Sequence, residues 1–108
     1  AEQYIHAHAD RSISVEELAH AAHTSVRSLF AGFKQYRGVS PMRYLRSVRL
    51  DRVRHELLQR APGIGVTEVA HRWGFMQLGR FANAYQQRFG ELPSETLRGG
   101  HAVSINTI

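Results

Sequence analysis

Arginine is the residue type in this sequence with the most evident binding chemistry, and it is concentrated in the middle of the chain. Thirteen of the fourteen basic residues are Arg, against nine acidic residues. Residues 27–60 hold nine bases and two acids, a local net charge of +7, whereas residues 1–26 carry −3. The planar guanidinium matches both phosphate oxygens and the guanine edge. The charge alone leaves two interpretations open, a nucleic-acid surface and the solvated helix faces of an Arg-rich protein.

The sequence lacks the residues that several other binding and catalytic functions need. The absence of cysteine excludes a disulfide framework, a thiolate nucleophile and a Cys-ligated zinc or iron–sulfur site. His20 and His23 have a spacing that suits one metal ion, but further ligands are not evident, so an exposed surface pair is favoured. Glu16 and Glu17 are adjacent and diverge on a helix, so they cannot flank one scissile bond. We expect no catalytic residue, no metal, no cofactor and no enzymatic activity.

Length and composition describe one ordinary globular domain. The chain has 108 residues and a mass of 12.2 kDa, with 43% hydrophobic and 21% charged residues. No apolar run approaches the ~20 residues that span a bilayer, and no signal-peptide pattern is present. We expect a soluble protein that stays in the cytoplasm.

Capping and breaking residues mark the helix boundaries. Ser14 followed by Glu17 is typical of a capping box, in which each side chain accepts the backbone N–H of the other residue. Ser25 has the position of a second N-cap, Gly38 that of a helix end, and Ser40-Pro41 that of a third helix start. No stretch alternates polar and apolar residues long enough for a strand, so the predicted fold is all-α. The helices predicted after residue 14 cover roughly 15–22, 25–37, 40–59, 66–73, 78–89 and 94–98.

The two halves of the chain repeat one pattern. Glu17-Leu18-Ala19 recurs 51 residues later as Glu68-Val69-Ala70, and beyond the following turn the offset becomes 52. Each half contains a short helix, a tight turn and a longer helix, with a small residue where the two helices cross. One copy could equally be a hairpin of a helical bundle, whereas two copies favour a pair of helix-turn-helix units. The pairs at offset 52 are Leu29 with Phe81, Phe33 with Tyr85, Gly38 with Gly90 and Pro41 with Pro93.

Several longer motifs are similar to those of one known family. They are Ser25-x-Arg27-x-Leu29-x-x-x-Phe33, Gly38-x-Ser40-Pro41-x-x-Tyr44, Arg49-x-x-x-Val53-x-x-x-Leu57, Gly74-Phe75, Leu78-Gly79-Arg80-Phe81-Ala82 and Phe89-Gly90-x-x-Pro93. Together they resemble the DNA-binding domain of AraC/XylS transcription regulators, and the stretch from Leu78 to Ala82 resembles the XylS branch. The resemblance implies about seven helices, with two helix-turn-helix units joined by a long connecting helix. It also implies a bacterial regulator, more an activator than a repressor, that contacts RNA polymerase.

The resemblance also implies a division of the chain. Residues 1–98 would form the AraC-type domain, with the first unit at about 14–37, the connecting helix at about 40–59 and the second unit at about 65–89. Residues 99–108 have no hydrophobic period and are expected to form a flexible tail. Relatives usually carry a separate effector-sensing or dimerisation domain, which we expect to be absent from this chain.

Three positions depart from the family pattern. His23 stands where such turns usually place Gly, so this turn needs either a positive φ at His or a different geometry. Ala31 and Gly79 occupy outward positions of the two recognition helices but carry no side chain that could read a base. Thr96-Leu97 replaces the aromatic residue that is usual near the end.

A projection at 100° per residue separates the core faces of the two recognition helices from the faces that would meet DNA. Val26, Leu29 and Phe33 are predicted to point inward on the first, and Leu78, Phe81 and Tyr85 on the second. The predicted base readers are Arg27, Arg80, Asn83 and Ser28, because Arg can bind guanine bidentately and Asn suits adenine. The predicted phosphate contacts are Ser25, Lys34, Arg37 and Gln87. Arg49 is expected in a structural hydrogen-bond network and Trp73 in the core.

These observations predict a sequence-specific DNA-binding domain of a bacterial transcription regulator. Its two recognition helices would enter successive major grooves of double-stranded DNA, about 34 Å apart, and the unequal halves predict an asymmetric site. The alternative is a basic helical adaptor that binds protein, or binds DNA without sequence preference. Competition with unrelated DNA distinguishes the two.

The +7 segment leads to a first prediction. If its cations contact phosphates, DNA binding releases counterions, and the logarithm of the binding constant should fall with log salt at a slope of several units. Titration of a labelled duplex between low and physiological ionic strength measures this slope. A flat response would contradict phosphate contacts by this segment.

Overall fold

In the computed structural model, residues 1–99 are described, and they contain seven α-helices and no strand. The predicted all-α class is thus confirmed, while the tail predicted beyond Gly99 lies outside the described residues. None of the described helices combines the length and the apolar character needed to cross a membrane. The helices are α1 (Glu2–His8), α2 (Val15–Ala21), α3 (Val26–Arg37), α4 (Pro41–Gln59), α5 (Val66–Arg72), α6 (Leu78–Phe89) and α7 (Pro93–Leu97).

Serine side chains cap the first turns of α2, α3 and α4, as the sequence predicts. Ser14 Oγ accepts the backbone N–H of Glu17 at 3.0 Å, and Ser25 Oγ accepts that of Ser28 at 3.1 Å. Ser40 Oγ accepts the N–H of Arg43 at 3.2 Å. Each cap satisfies a backbone donor that the helix itself leaves unpaired, a stabilisation of about 1 kcal/mol.

Two glycines end the longer helices of the repeats. Gly38 after α3 and Gly90 after α6 have φ values of 74° and 77°, in the left-handed region. Their N–H groups return to carbonyls of the last turn, that of Gly38 to Phe33 and Lys34 and that of Gly90 to Gln86. Only glycine adopts this conformation without a Cβ penalty, which explains why both helices end there.

The chain divides into two compact units, Ala1–Arg49 and the part that begins at Leu50, so that α4 contributes to both. In the first unit, hydrogen bonds from Arg49 on α4 hold the segment that follows α1. The Arg49 guanidinium donates from Nε to the Ala9 carbonyl at 2.9 Å and from Nη2 to the Arg11 carbonyl at 2.6 Å. The predicted structural role of Arg49 is therefore confirmed. The buried apolar residues of this unit are Ile5, Ala9, Ile13, Leu18, Ala19, Leu29, Phe33, Leu45 and Val48.

The second unit is built around Tyr85, which is completely buried on α6. Its hydroxyl donates to Thr96 Oγ1 at 2.8 Å, and the Thr96 hydroxyl donates in turn to the Glu91 carboxylate. The Trp73 ring packs against this core, and its Nε1 donates to Glu56 Oε1 at 2.6 Å, so Trp73 is an anchor of the core as predicted. The buried core comprises Leu50, Val53, Leu57, Val69, Ala70, Phe81 and Tyr85.

Leu29 is the buried residue whose removal best tests the inward face of α3. Its side chain is 5% exposed, and truncation to Ala would leave a cavity under the helix. We expect Leu29→Ala to lower the free energy of unfolding by about 2–5 kcal/mol, measured by urea denaturation. Tyr36→Ala on the same helix is the control, because Tyr36 is 79% exposed and its loss should change stability little. Unchanged stability of Leu29→Ala with loss of DNA binding would contradict the assignment of the two faces.

A second test uses the polar cluster that joins α1 to α2. Hydrogen bonds from Arg11 and Tyr4 to the Glu17 carboxylate lower the pKa of Glu17 from 4.5 to about 2. The folded state therefore favours the carboxylate, so its stabilisation is complete above pH ~4.5 and is lost as the pH falls towards 2. We expect the melting temperature of Glu17→Gln to lie below that of the parent chain at pH 6 and to approach it near pH 2.5.

The control for this test is Glu16→Gln, because among the described residues Glu16 has no hydrogen bond or ion pair of its side chain. That variant should show no such difference at pH 6. A difference for Glu17→Gln that stayed constant across this pH range would contradict the role of the ionised carboxylate.

Candidate DNA interface

Helix α3 presents a polar face opposite its buried stripe. Leu29 and Phe33 are buried, and they hold the helix so that every residue on the far side is exposed. Val26, predicted to point inward, is half-buried at the start of the helix. The exposed residues of this face are Arg27, Ser28, Ala31, Lys34 and Gln35, as the helical projection predicts.

Helix α6 repeats the arrangement, with one difference. Phe81 and Tyr85 are buried, and the outward residues Gly79, Arg80, Asn83 and Gln87 are exposed. Leu78 was predicted to point inward, but it is 38% exposed, so that prediction was wrong. The reason is its place at the first position of the helix, where it borders an open groove of about 270 Å³. The groove is lined by Val66, Thr67, Leu78, Phe81, Ala82, Leu92, Pro93 and Ser94.

The two turns that precede these helices have the same geometry despite different residues. His23 has φ 55° and Gly74, 51 residues later, has φ 89°. In each turn the next N–H returns to the small residue of the first helix, Thr24 to the Ala19 carbonyl at 3.0 Å and Phe75 to that of Ala70 at 2.9 Å. The sequence left two alternatives for this turn, a positive φ at His23 or a different geometry, and the structure has the positive φ. His tolerates this region better than a β-branched residue does, although at some cost in strain.

The hydroxyls of Ser25 and Ser28 contact each other at the start of α3. Ser25 Oγ donates to Ser28 Oγ at 3.0 Å while it caps the helix. Both side chains are exposed, and the Ser28 hydroxyl retains its own hydrogen for a further acceptor. The structure thus brings the two predicted contacts together beside Arg27.

Arg37, a predicted phosphate contact, forms an ion pair within the first unit. Its Nε and Nη2 atoms bind the two carboxylate oxygens of Glu2 at 2.5 Å each, which lowers the pKa of Glu2 and raises that of Arg37. The second unit has a bidentate pair of the same type at a non-matching position, in which Arg88 binds Asp51 at 2.9 and 3.0 Å. In each unit a carboxylate therefore binds the Arg at the end of the recognition helix in a bidentate manner.

Arg43 is a cation near α3 that the sequence analysis did not select. It lies in the first turn of α4 and lines a cleft of about 500 Å³ together with Lys34 and Ser40. Both cations are exposed. The spacing of Arg43 from the N-cap Ser40 is the sequence feature that could have placed it beside the end of α3.

The Arg residues farther along α4 differ in their surroundings. Arg52 lies over the Trp73 ring at 5.7 Å and Arg54 over the Phe89 ring at 5.3 Å, both within the second unit. Arg46 is exposed. Some Arg side chains of α4 therefore pack on aromatic rings, whereas others are exposed to solvent. A count of charges along the sequence cannot distinguish these two groups.

Among residues 1–99, no three His, Asp or Glu side chains lie close enough together to hold a metal ion. His20 and His23, the pair with a suitable spacing, are both exposed. The Glu17 carboxylate is bound by Tyr4 and Arg11. The outward polar groups of α3 in the first unit and those of α6 in the second are each a candidate contact surface.

Comparisons with known sequences agree with this arrangement. A family model described as a helix-turn-helix domain matches residues 18–99. A Rhodococcus erythropolis protein described as a probable thc operon regulatory protein is 47% identical over 96 residues, which are 88% of this chain and 29% of that protein. The XylDLEGF operon transcriptional activator 2 of Pseudomonas putida is also 47% identical over 96 residues, 88% of this chain and 61% of its own length. The chain thus spans about three tenths to three fifths of the length of these relatives.

Solved structures share the fold. A probable AraC family transcriptional regulator from Rhodopseudomonas palustris has a TM-score of 0.86 and 41% identity, and the match covers 90% of each chain. A regulator with an AraC-type DNA-binding domain from Chromobacterium violaceum has a TM-score of 0.80 and 26% identity, over 90% of this chain and 85% of that one. The helix-turn-helix match and the extent of these similarities show that the chain belongs to the AraC/XylS family of transcription regulators, as a DNA-binding domain.

Proposed function

We propose that this domain recognises a specific DNA sequence by inserting α3 and α6 into successive major grooves. One observation carries the proposal: in both units a buried apolar stripe fixes the recognition helix, and the opposite face is exposed and carries cations and amides. A major groove admits one helix, whose outward side chains then meet base edges. Because the two outward faces differ in sequence, the bound site is asymmetric.

Four residues would read bases in this proposal. Arg27 lies in the first turn of α3 and Arg80 in the first turn of α6, where a side chain in the groove can reach guanine O6 and N7. Asn83 lies one turn beyond Arg80 on the same face and suits adenine. Ser28, with its remaining hydroxyl hydrogen, suits an acceptor on a base edge.

Phosphate contacts would flank these readers and set the register of the domain on DNA. We propose Ser25, Lys34 and Gln87 for this role, and add Arg43, which shares a cleft with Lys34. Arg37 is also proposed, with the condition that a phosphate replaces Glu2 as its partner. Such an exchange substitutes one anion for another, so the guanidinium remains paired in both states.

We further propose that the whole protein is a transcriptional activator, acts in the cytoplasm and contacts RNA polymerase. The support is the similarity to proteins described as operon transcriptional activators. Effector sensing or dimerisation would then depend on sequence outside these 108 residues. The domain itself would act by binding alone and would have no enzymatic activity.

The proposal predicts separate effects for the two units. Arg27→Ala and Arg80→Ala should each weaken binding by about 1–3 kcal/mol and relax specificity in a different half of the site. Lys34→Ala should weaken binding to all sequences about equally, because phosphate contacts carry no base information. The measurement is the affinity of each variant for every single-base change in a duplex selected from a random pool.

Two results would contradict the proposal. If Arg27→Ala and Arg80→Ala lost discrimination at the same base pairs, the two helices would not read separate grooves. If unrelated DNA competed as well as the selected duplex, the domain would be a basic adaptor without sequence preference.

A further inference from the structure

Helix α6 contains a glycine that the described chain does not require. Gly79 is the second residue of α6, its φ lies outside the left-handed region, and it is exposed. A Cβ at this position would meet no atom within 4 Å. Glycine in a helix is less stable than alanine, so neither the backbone nor the packing of the described residues accounts for its presence. A requirement from outside the chain would account for it.

Gly79 lies on the outward face of α6. Arg80 follows it directly and Asn83 lies one turn further along, both proposed to read bases. In the repeat, Gly79 corresponds to Arg27 at offset 52, the long side chain of the first unit. The second unit thus has no side chain at a position where the first unit has its main proposed reader, so its backbone can approach a partner more closely there.

Two exposed apolar side chains lie within three residues of Gly79 in the sequence. Met76, three residues earlier, is 66% exposed, and the neighbouring Leu78 is exposed at the edge of its groove. Of the three residues between Met76 and Arg80, Gln77 has a side chain that can donate a hydrogen bond. The C5-methyl group of thymine is the apolar feature that the major groove presents, and small or apolar side chains recognise it.

We propose that the first turn of α6 recognises a thymine by its C5-methyl group, which lies against Gly79 Cα and the Met76 side chain. This inference depends on the proposed function and adds to it a second type of base recognition. The first unit would read mainly by hydrogen bonds from Arg27. The second unit would combine Arg80 with an apolar contact that only a glycine allows at this distance.

Replacement of thymine by deoxyuridine tests the methyl contact, because it removes the methyl group and nothing else. The probe is the duplex selected from a random pool by the unmodified domain, with one thymine replaced at a time. We expect one thymine, in the half of the site where Arg80→Ala relaxes specificity, to lose about fourfold in affinity on replacement. Met76→Ala should reduce this difference between thymine and deoxyuridine.

Gly79→Ala tests the close approach, with opposite effects on folding and binding. The added Cβ meets open space in the free domain, so the melting temperature should rise by roughly 2–8 °C. Affinity for the selected duplex should fall tenfold or more, and the difference between thymine and deoxyuridine should disappear. Gly32→Ala on α3 is the matched control, since its Cβ also meets open space and Gly32 lies off the outward face. It should raise the melting temperature and leave the affinity unchanged.

The outcomes separate this inference from the proposed function. Equal affinity for every deoxyuridine-substituted duplex would overturn the methyl contact, and unchanged affinity of Gly79→Ala would overturn the close approach. Failure of the unmodified domain to enrich any sequence would instead overturn the proposed function, and the inference with it.

Discussion

The close contact of each recognition helix with the short helix before it is the constraint on which the rest of the structure depends. Ala19 and Ala70 are buried on the short helices, and their carbonyls accept the N–H of Thr24 and Phe75 from the turns. A larger residue would push the helices apart, because the interior is close-packed. The crossing sets the rotation of α3 and α6 about their axes, and this rotation decides which side chains reach solvent.

Arginine performs two distinct tasks in this domain. Some guanidiniums stabilise helix ends or pair with carboxylates: Arg49 binds carbonyls that follow α1, Arg60 binds those of Thr96 and Leu97, and Arg88 binds Asp51. Others, Arg27 and Arg80, project from the recognition helices. The +7 segment therefore overstates the charge available to a polyanion, because part of it is used within the protein.

The repeat produces two units with similar cores and different outward faces. Leu29 and Phe33 correspond to Phe81 and Tyr85, all buried, so the requirement for packing is the same in both. The outward positions have no such requirement, and there Arg27 corresponds to Gly79. This freedom allows the outward faces of the two units to differ while their cores stay alike.

Local chemistry made much of this protein predictable from its sequence. Three features depend on residues a few positions apart: the serine caps, the helix ends at Gly38 and Gly90, and the spacing of the buried stripes. They therefore predicted α2 to α7 closely. The family resemblance supplied the count of seven helices. The ion pair between Arg37 and Glu2 joins residues 35 positions apart. Leu78 is exposed because the neighbouring segments leave part of its side chain uncovered. Only the tertiary structure could decide these, because side-chain partners and solvent access depend on the path of the whole chain.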